Sequence, residues 1–121
     1  LAHFGLGNTF SESSQMQSAI SEYKMALKTN PDHIPSYTNM GNAQMQLGRF
    51  DQARKTYETA LLKQPGMAQI HKNLGIIFSQ SNMNTAKAIF HFSKSLELSP
   101  NQPDAQKIQS TIQALRIAGT R

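Results

Sequence analysis

The feature that most constrains this chain is a set of residues that recurs about every 34 positions. The central copy runs from Tyr37 to Pro65 and reads as two short amphipathic helices joined at Gly48. Five positions of this copy carry the same residue 34 positions earlier, namely Gly41, Ala53, Tyr57, Ala60 and Pro65 against Gly7, Ala19, Tyr23, Ala26 and Pro31. A third copy follows with Gly75, Ala88, Phe92, Ser95 and Pro100. A helix-pair unit repeated at this period predicts a stacked array.

This spacing resembles that of the tetratricopeptide repeat family, and the resemblance covers residues 2–100. It implies an all-α fold, a right-handed superhelical stack of antiparallel helix pairs that serves as a scaffold for binding other proteins. The predicted organisation is three repeats over residues 1–100, at about 1–33, 34–67 and 68–102, and a capping helix at 101–121. The departures from the family pattern are Gln44 in an aromatic position, Ser95 in an alanine position, and one extra residue within 81–84.

Hydrophobic periodicity and chain breakers predict the helix bounds. The expected helices are 1–13, 14–29, one ending near 47, 50–63, 67–80 and 85–98. Ser14 and Gln17 form a capping-box pattern that predicts the start of the second helix. Gly48 suits a left-handed helix end, and Asn82 or Asn84 is expected to serve the equivalent turn of the third repeat.

Glycine also recurs inside the first helix of each repeat, where it costs about 1 kcal/mol relative to alanine. We expect this cost to be accepted in every repeat because the paired helix approaches closely at the glycine. The predicted contacts are Gly7, Gly41 and Gly75 against Ala19, Ala53 and Ala88. The residues directly before these glycines are expected to form a row in the core, namely Leu6, Met40 and Leu74.

The segment 101–121 breaks the repeat pattern, with Ile108, Ile112 and Leu115 on one face. A polar outer surface is typical of a terminal capping element. The first helix has no such cap, so self-association through the N-terminal end is one structural alternative. The chain opens with Leu1 rather than Met, at the very start of a repeat, which suggests a piece of a longer polypeptide. In similar arrays that parent is often membrane-anchored, and the compartment stays unknown.

Composition narrows the function classes. The chain has no cysteine, which excludes disulfides and thiolate metal sites. No apolar run approaches the roughly 18 residues that span a bilayer, so direct membrane insertion is not expected. The net charge of +5 raises nucleic acid as a partner. The basic residues fall mainly in second helices, among acidic ones: Lys24, Lys28, Arg54, Lys55, Lys63, Lys87 and Lys94. A nucleic-acid-binding repeat that uses this outer surface is therefore the second hypothesis.

No catalytic or cofactor motif occurs in the sequence. His3 and His71 are two repeats apart with Tyr37 in the slot between them, which indicates a position for packing flat rings. His33 lies in a turn and His91 in an apolar stretch, neither with a ligand partner at helical spacing. We expect no enzyme, no metal and no cofactor.

Asparagines recur on the first helices, where Asn8 and Asn42 are one repeat apart, as are Asn39 and Asn73. The expected position is the side away from the core row, which lines the concave groove in tetratricopeptide-like stacks, and we expect Asn39 and Asn73 to be exposed. A carboxamide both donates and accepts, so it can pair with the backbone of an extended peptide. The segment 38–42 is similar to first helices of O-linked N-acetylglucosamine transferases, in which an asparagine ladder grips peptide backbone.

Another clamp of the family holds a C-terminal carboxylate of chaperones with two asparagines and several cations. Asn8 and Asn39 match its asparagines, but Phe4, Gln69 and Asn73 occupy the positions of the cations, and Lys72 is one residue away. A carboxylate clamp is therefore not expected. The predicted function is a non-catalytic scaffold that holds a peptide segment or partner protein in a groove formed by Asn8, Asn39, Asn42, Asn73, Phe4 and Lys72.

Overall fold

The computed structural model describes residues 2–80 and 84–119, and within these ranges the chain forms seven α-helices and no strand. The helices are α1 (Ala2–Glu12), α2 (Met16–Thr29), α3 (Ile34–Gln46), α4 (Phe50–Lys63), α5 (Ala68–Gln80), α6 (Thr85–Leu98) and α7 (Ala105–Gly119). They belong to two compact units, an N-terminal unit, Leu1–Pro65, and a C-terminal unit, Gly66–Arg121. The all-α fold of paired helices is confirmed, and the six helices predicted within the repeats lie within two residues of their expected bounds where these were given. The capping helix predicted at 101–121 begins later, at Ala105.

In the N-terminal unit, the buried stripe of α2 packs against α1 and α3. Ile20 and Tyr23 are each 1% exposed, and they meet Met40 and Ala43 of α3 in one hydrophobic cluster. These positions are spaced three or four residues apart, so one face of α2 carries the apolar side chains. Pro35 lies in the first turn of α3, where its missing N–H costs no hydrogen bond.

In the C-terminal unit, α5 contributes most of the buried residues. Ile70 and Leu74 are fully buried on it, and Phe92 of α6 is buried beside them. The last helix, α7, packs on α6 and buries Ile108 and Ile112. None of the helices in residues 2–80 and 84–119 is long and apolar enough to cross a membrane.

Two of the three departures from the family pattern are polar residues in core positions, and both form hydrogen bonds. Gln44 is 4% exposed, and its Oε1 accepts a hydrogen bond from Thr56 Oγ1 at 2.7 Å. Ser95 is fully buried and donates to the carbonyl of Ala68 at 2.8 Å. Since a buried polar group costs free energy unless it is paired, these bonds explain how polar residues are tolerated in core positions.

The glycine of each first helix lies against an aromatic ring of the second helix. A Cβ atom built on Gly7 would be 2.6 Å from Tyr23 Cε1, and on Gly41 it would be 2.5 Å from Tyr57 Cε1. On Gly75 it would be 2.7 Å from Phe92 Cδ1. The expectation of close helix approach is right, but the predicted partner is wrong. The ring one turn beyond the alanine covers the glycine, because its flat face reaches the neighbouring backbone.

We expect Gly41→Ala to lower the free energy of unfolding by about 1–3 kcal/mol, because the added methyl overpacks a buried ring. This loss exceeds the gain of about 1 kcal/mol in helix propensity. Gly5→Ala is the matched control, since no atom lies within 4 Å of a Cβ at Gly5. Urea denaturation measures both variants. A Gly41→Ala protein as stable as Gly5→Ala would contradict the close glycine–ring contact.

The end of α3 confirms the role predicted for Gly48. Its φ is +75°, the left-handed conformation. Gly48 N donates to the carbonyl of Met45 and Arg49 N donates to that of Gln44, each at 2.9 Å. This pair of bonds is the Schellman motif, in which a glycine just past the helix closes its last carbonyls.

Ser14 occupies the same position at the end of α1, with a φ of +63°. Ser14 N donates to the carbonyl of Ser11 at 3.1 Å, and Gln15 N donates to that of Phe10 at 2.8 Å. The first repeat therefore makes the same helix end with a side chain that disfavours it, because a Cβ atom costs about 1–2 kcal/mol in left-handed geometry.

The capping box predicted for the start of α2 is wrong, and Asn84, one of the two candidates for the turn of the third repeat, does not have that role. Helix α2 begins at Met16 with Gln15 as its N-cap and no side-chain cap, so the capping box at Ser14 does not form. Ser14 has a left-handed φ because it ends α1, and this conformation is not that of a helix N-cap. Asn84 is the N-cap of α6 rather than a left-handed turn residue, since its φ is −169° and its side chain accepts from the backbone N–H of Lys87 at 3.0 Å. Asn82 and the predicted extra residue around Ser81 lie outside the described residues.

Ser14→Gly should raise the free energy of unfolding by about 0.5–1 kcal/mol, since glycine removes the Cβ strain at the cost of more unfolded-state entropy. The reciprocal change Gly48→Ser should destabilise the protein by a similar amount. Thermal unfolding of both variants gives the comparison. Equal melting temperatures for Ser14→Gly and the wild type would show that the left-handed geometry carries no cost here.

Leu6 does not belong to the core row predicted for it. It is 49% exposed, whereas Met40 is 7% exposed and Leu74 is fully buried. Helix α1 instead contributes Phe4 and Phe10, which pack against the cluster of the N-terminal unit. In this unit the core side of α1 is therefore set by its aromatic residues.

Candidate functional site

Three of the predicted asparagines lie together in a cleft of the N-terminal unit, between α1 and α3. The cleft has a volume of about 290 Å³. We call it the asparagine cleft, and its lining residues are Asn8, Ser11, Glu12, Tyr23, Asn39, Asn42 and Gln46. Neighbouring positions on each helix are three or four residues apart, so they share one face. The carboxamides that the sequence indicates are thus brought to one surface.

Hydrogen bonds orient two of these carboxamides. Tyr23 OH donates to Asn8 Oδ1 at 2.6 Å, and Asn39 Nδ2 donates to the same oxygen at 2.9 Å. In the next repeat, Tyr57 OH donates to Asn42 Oδ1. Burial raises the pKa of Tyr23, which keeps its hydroxyl protonated and able to donate. The carbonyl oxygens of Asn8 and Asn42 are therefore held by the tyrosines of the second helices.

The other three predicted site residues lie elsewhere. Asn73 belongs to the C-terminal unit and is 7% exposed, so the expectation of an exposed side chain is wrong. Its Oδ1 accepts from Gln69 Nε2 at 3.3 Å. Phe4 packs on Tyr23 and His33, with ring centroids 6.0 and 4.8 Å apart, and serves the core. Lys72 forms an ion pair in the C-terminal unit.

The basic residues of α2, α4 and α6 are mostly exposed, as expected, and several of them are neutralised. Arg54 pairs with Glu58 at 3.0 Å, Lys63 with Asp32 at 2.8 Å, and Lys94 with Glu97 at 3.7 Å. Exposed pairs of this kind contribute about 0–1 kcal/mol to stability. They lower the positive potential available for a nucleic acid.

A histidine pair that the sequence does not reveal lies between α5 and α6. His71 Nδ1 and His91 Nδ1 are 3.0 Å apart, while the ring centroids are 5.2 Å apart. Both nitrogens must therefore lie near the line between the centroids, so the rings meet edge to edge and one Nδ1–H donates to the other nitrogen. Phe78 stacks nearly parallel to His91. Helical spacing shows no such partner because the two residues belong to different helices.

Burial lowers the pKa of His91 to about 4, and the charges of His71 and Lys87 add to this effect. The ring is consequently neutral in the folded protein at neutral pH. Of the other histidines, His3 lies 2.9 Å from Glu22 and His33 lies 2.7 Å from Ser36 Oγ. Among the described residues, no group of three or more His, Cys, Asp or Glu could hold a metal ion.

The histidine pair predicts a loss of stability in acid. His91 takes up a proton below a pKa of about 6.5 when unfolded but only near 4 when folded. The free energy of unfolding should therefore fall as the pH drops from 6.5 toward 4, by about 1–3 kcal/mol for this partly exposed group. Urea denaturation across this range measures the slope for the wild type and for His91→Gln, whose amide can still pair with His71.

His91→Gln should show a flatter dependence, because the substituted side chain does not titrate. The wild-type protein, measured in parallel at each pH, gives the reference slope. If His91→Gln leaves the slope unchanged, the neutral state of His91 is not what stabilises the α5–α6 contact.

Comparison with known proteins gives the family. The tetratricopeptide repeat model matches residues 11–74. The human protein O-mannosyl-transferase TMTC1 is 34% identical over 71 residues, which are 59% of this chain and 8% of that protein. The chain thus spans a small part of that relative.

Two solved structures show the same fold. The TPR domain of Arabidopsis OM64 has a TM-score of 0.84 at 22% identity, covering 92% of this chain and 91% of that one. The Yersinia enterocolitica type III secretion chaperone SycD, in complex with a peptide of the translocator YopD, has a TM-score of 0.89 at 14% identity, covering 98% and 92%. The repeat spacing, the glycine–ring contacts and the matched model agree, and the chain belongs to the tetratricopeptide repeat family.

Proposed function

We propose that this chain is a non-catalytic scaffold for protein–protein interaction and that its asparagine cleft holds an extended peptide segment of a partner. The observation that carries the proposal is the convergence of Asn8, Asn39 and Asn42 on one cleft. The family and a structural relative bound to a peptide support the general function.

The hydrogen bonds within the cleft favour a ligand that accepts hydrogen bonds over one that donates them. Asn8 Oδ1 already accepts from Tyr23 and Asn39, and Asn42 Oδ1 accepts from Tyr57. Asn8, whose side-chain oxygen is held in this way, directs its NH₂ group to a ligand. Peptide carbonyl oxygens are the matching acceptors, and they occur in every residue of an extended chain. The cleft is therefore suited to backbone rather than to a particular side chain.

The charge of the cleft favours a neutral or basic segment. Glu12, which is exposed, is the only charged residue among the lining residues. A phosphate backbone would approach this carboxylate without a cation in the cleft to offset it. The second candidate, a nucleic-acid-binding repeat, would thus depend on the outer basic surface. Self-association through the first helix stays a prediction, and Leu6, 49% exposed, is a side chain that it would bury.

Binding should be weak and should depend on Asn39. A few backbone hydrogen bonds contribute about 0.5–1.5 kcal/mol each, which corresponds to dissociation constants on the order of micromolar to hundreds of micromolar. Selection from a phage-displayed library of random peptides supplies ligands, and fluorescence polarisation measures their affinity. Asn39→Ala should weaken the selected peptides by about two- to tenfold, because it removes one carboxamide of the cleft and the hydrogen bond that Asn39 Nδ2 donates to Asn8.

Asn101→Ala is the matched control, since Asn101 is exposed and belongs to the other unit. It should leave the affinity unchanged, and binding should depend little on salt. An RNA oligonucleotide in the same assay addresses the second candidate. Tight RNA binding that falls steeply with salt and survives Asn39→Ala would overturn the proposal. Peptide binding that is indifferent to Asn39→Ala would remove the cleft as its site.

A further inference from the structure

The C-terminal unit has a cleft of its own, between α5 and α7. Its volume is about 420 Å³. We call it the lysine cleft, and its lining residues are Lys72, Ile76, Ser79, Gln80, Phe92, Asp104, Lys107, Ile108 and Thr111. The cleft exists because α7 packs on α6 beside α5, as the first helix of a following repeat would.

The lysine cleft occupies the same place in the repeat as the asparagine cleft. Four of its lining positions stand 68 or 69 residues after lining positions of the asparagine cleft, with Ile76, Ser79, Gln80 and Phe92 in place of Asn8, Ser11, Glu12 and Tyr23. Two of these replacements change the chemistry of the floor. Ile76 has an aliphatic side chain where Asn8 has a carboxamide, and Phe92 lacks the hydroxyl with which Tyr23 holds that carboxamide.

The floor of the lysine cleft is consequently apolar. Phe92 and Ile108 are each 3% exposed, and Ile76 is partly exposed above them. Ser79 Oγ and Thr111 Oγ1 donate to carbonyls of their own helices, each at 2.9 Å. These hydroxyl protons are therefore not directed at a ligand. An apolar side chain that covers such a floor binds favourably, because apolar surface is removed from water.

The rim carries two cations and one carboxylate. Lys72 Nζ lies 2.8 Å from Asp104 Oδ2, and their side chains are 18% and 38% exposed. The hydrogen bond from Lys72, assisted by the charges of Lys72 and Lys107, holds the pKa of Asp104 below its usual value. Lys107 is exposed and forms no ion pair in the part of the chain that the structure describes. The rim therefore has one positive charge that is not balanced.

We propose that the lysine cleft binds an acidic, amphipathic segment of a partner protein, with an apolar side chain over Ile76 and a carboxylate at Lys107. Charge complementarity with the rim selects the carboxylate, and the floor selects the apolar residue. Phe92 is too buried to stack with a base, so the cleft lacks the aromatic platform on which single-stranded nucleic acid depends. The proposal uses no residue of the asparagine cleft and stands or falls independently of it.

The side chain of Asp104 occupies part of the anionic subsite in the free protein. An incoming carboxylate competes with it for Lys72 while Lys107 remains available. Removing the charge of Asp104 should therefore strengthen binding of an acidic segment. A purely structural salt bridge would give no such gain.

The probe is a short fluorescent peptide of alternating leucine and aspartate, which presents an apolar and an acidic side when extended. Two matched peptides replace leucine with serine or aspartate with lysine. We expect the leucine–aspartate peptide to bind, and each replacement to weaken binding at least about fivefold. Added salt should weaken the leucine–aspartate peptide, because part of its affinity is ionic.

Three variants test whether the peptide binds in the lysine cleft. Lys107→Glu should weaken the leucine–aspartate peptide by about tenfold, as expected for reversing one exposed charge. Asp104→Asn should strengthen it by about threefold or more. Lys24→Glu makes the same change of net charge on an exposed lysine of the N-terminal unit and should have little effect. Circular-dichroism melts of each variant show that the fold is kept.

The proposal is overturned if Lys24→Glu and Lys107→Glu weaken binding equally, since the peptide then responds only to net charge. It is also overturned if Asp104→Asn weakens binding, or if an RNA oligonucleotide displaces the peptide in a manner sensitive to Lys107→Glu. Loss of binding in Lys107→Glu together with a gain in Asp104→Asn supports it.

Discussion

The contact between a glycine of the first helix and an aromatic ring of the second is the constraint on which both units depend. At Gly7, Gly41 and Gly75 a methyl group would lie 2.5–2.7 Å from the nearest ring atom. This contact fixes the distance between paired helices. It also fixes the position of the outer end of the ring, which in the first repeat lines the asparagine cleft. In the first two repeats that end is a tyrosine hydroxyl, so the packing contact and the cleft chemistry share one side chain.

The identity of the ring and the residue in front of it change together. Tyr23 faces Asn8, and Tyr57 faces Asn42, each through a hydrogen bond to the carboxamide oxygen. In the third repeat Phe92 has no hydroxyl, and the position equivalent to the asparagines is Ile76. A buried tyrosine hydroxyl favours a partner, whereas phenylalanine needs none. The presence or absence of the ring hydroxyl thus matches the polarity of the residue that faces the ring in each of the three repeats.

The sequence predicts the helices well because their bounds depend on local signals. Gly48 and the apolar stripe of α2 are examples, and both have the predicted role. Side-chain partners across helices are less predictable. Periodicity indicates that Asn39 and Asn73 occupy equivalent positions on α3 and α5, but not that one contacts Asn8 while the other is buried. The capping box predicted at Ser14 fails for another reason. The backbone conformation of Ser14 is set by the turn that ends α1, and not by the preference of serine for helix starts.

One repeat scaffold therefore carries two chemically different surfaces. Glu12 is the charged residue of the asparagine cleft, while Lys72 and Lys107 outnumber Asp104 at the lysine cleft. The helices and the glycine–ring contacts are alike in both units, so the fold alone does not select a ligand. Selection depends on a few outward positions that the packing leaves free to vary. A family assignment is informative about the packed positions, and the proposed partners depend on the others.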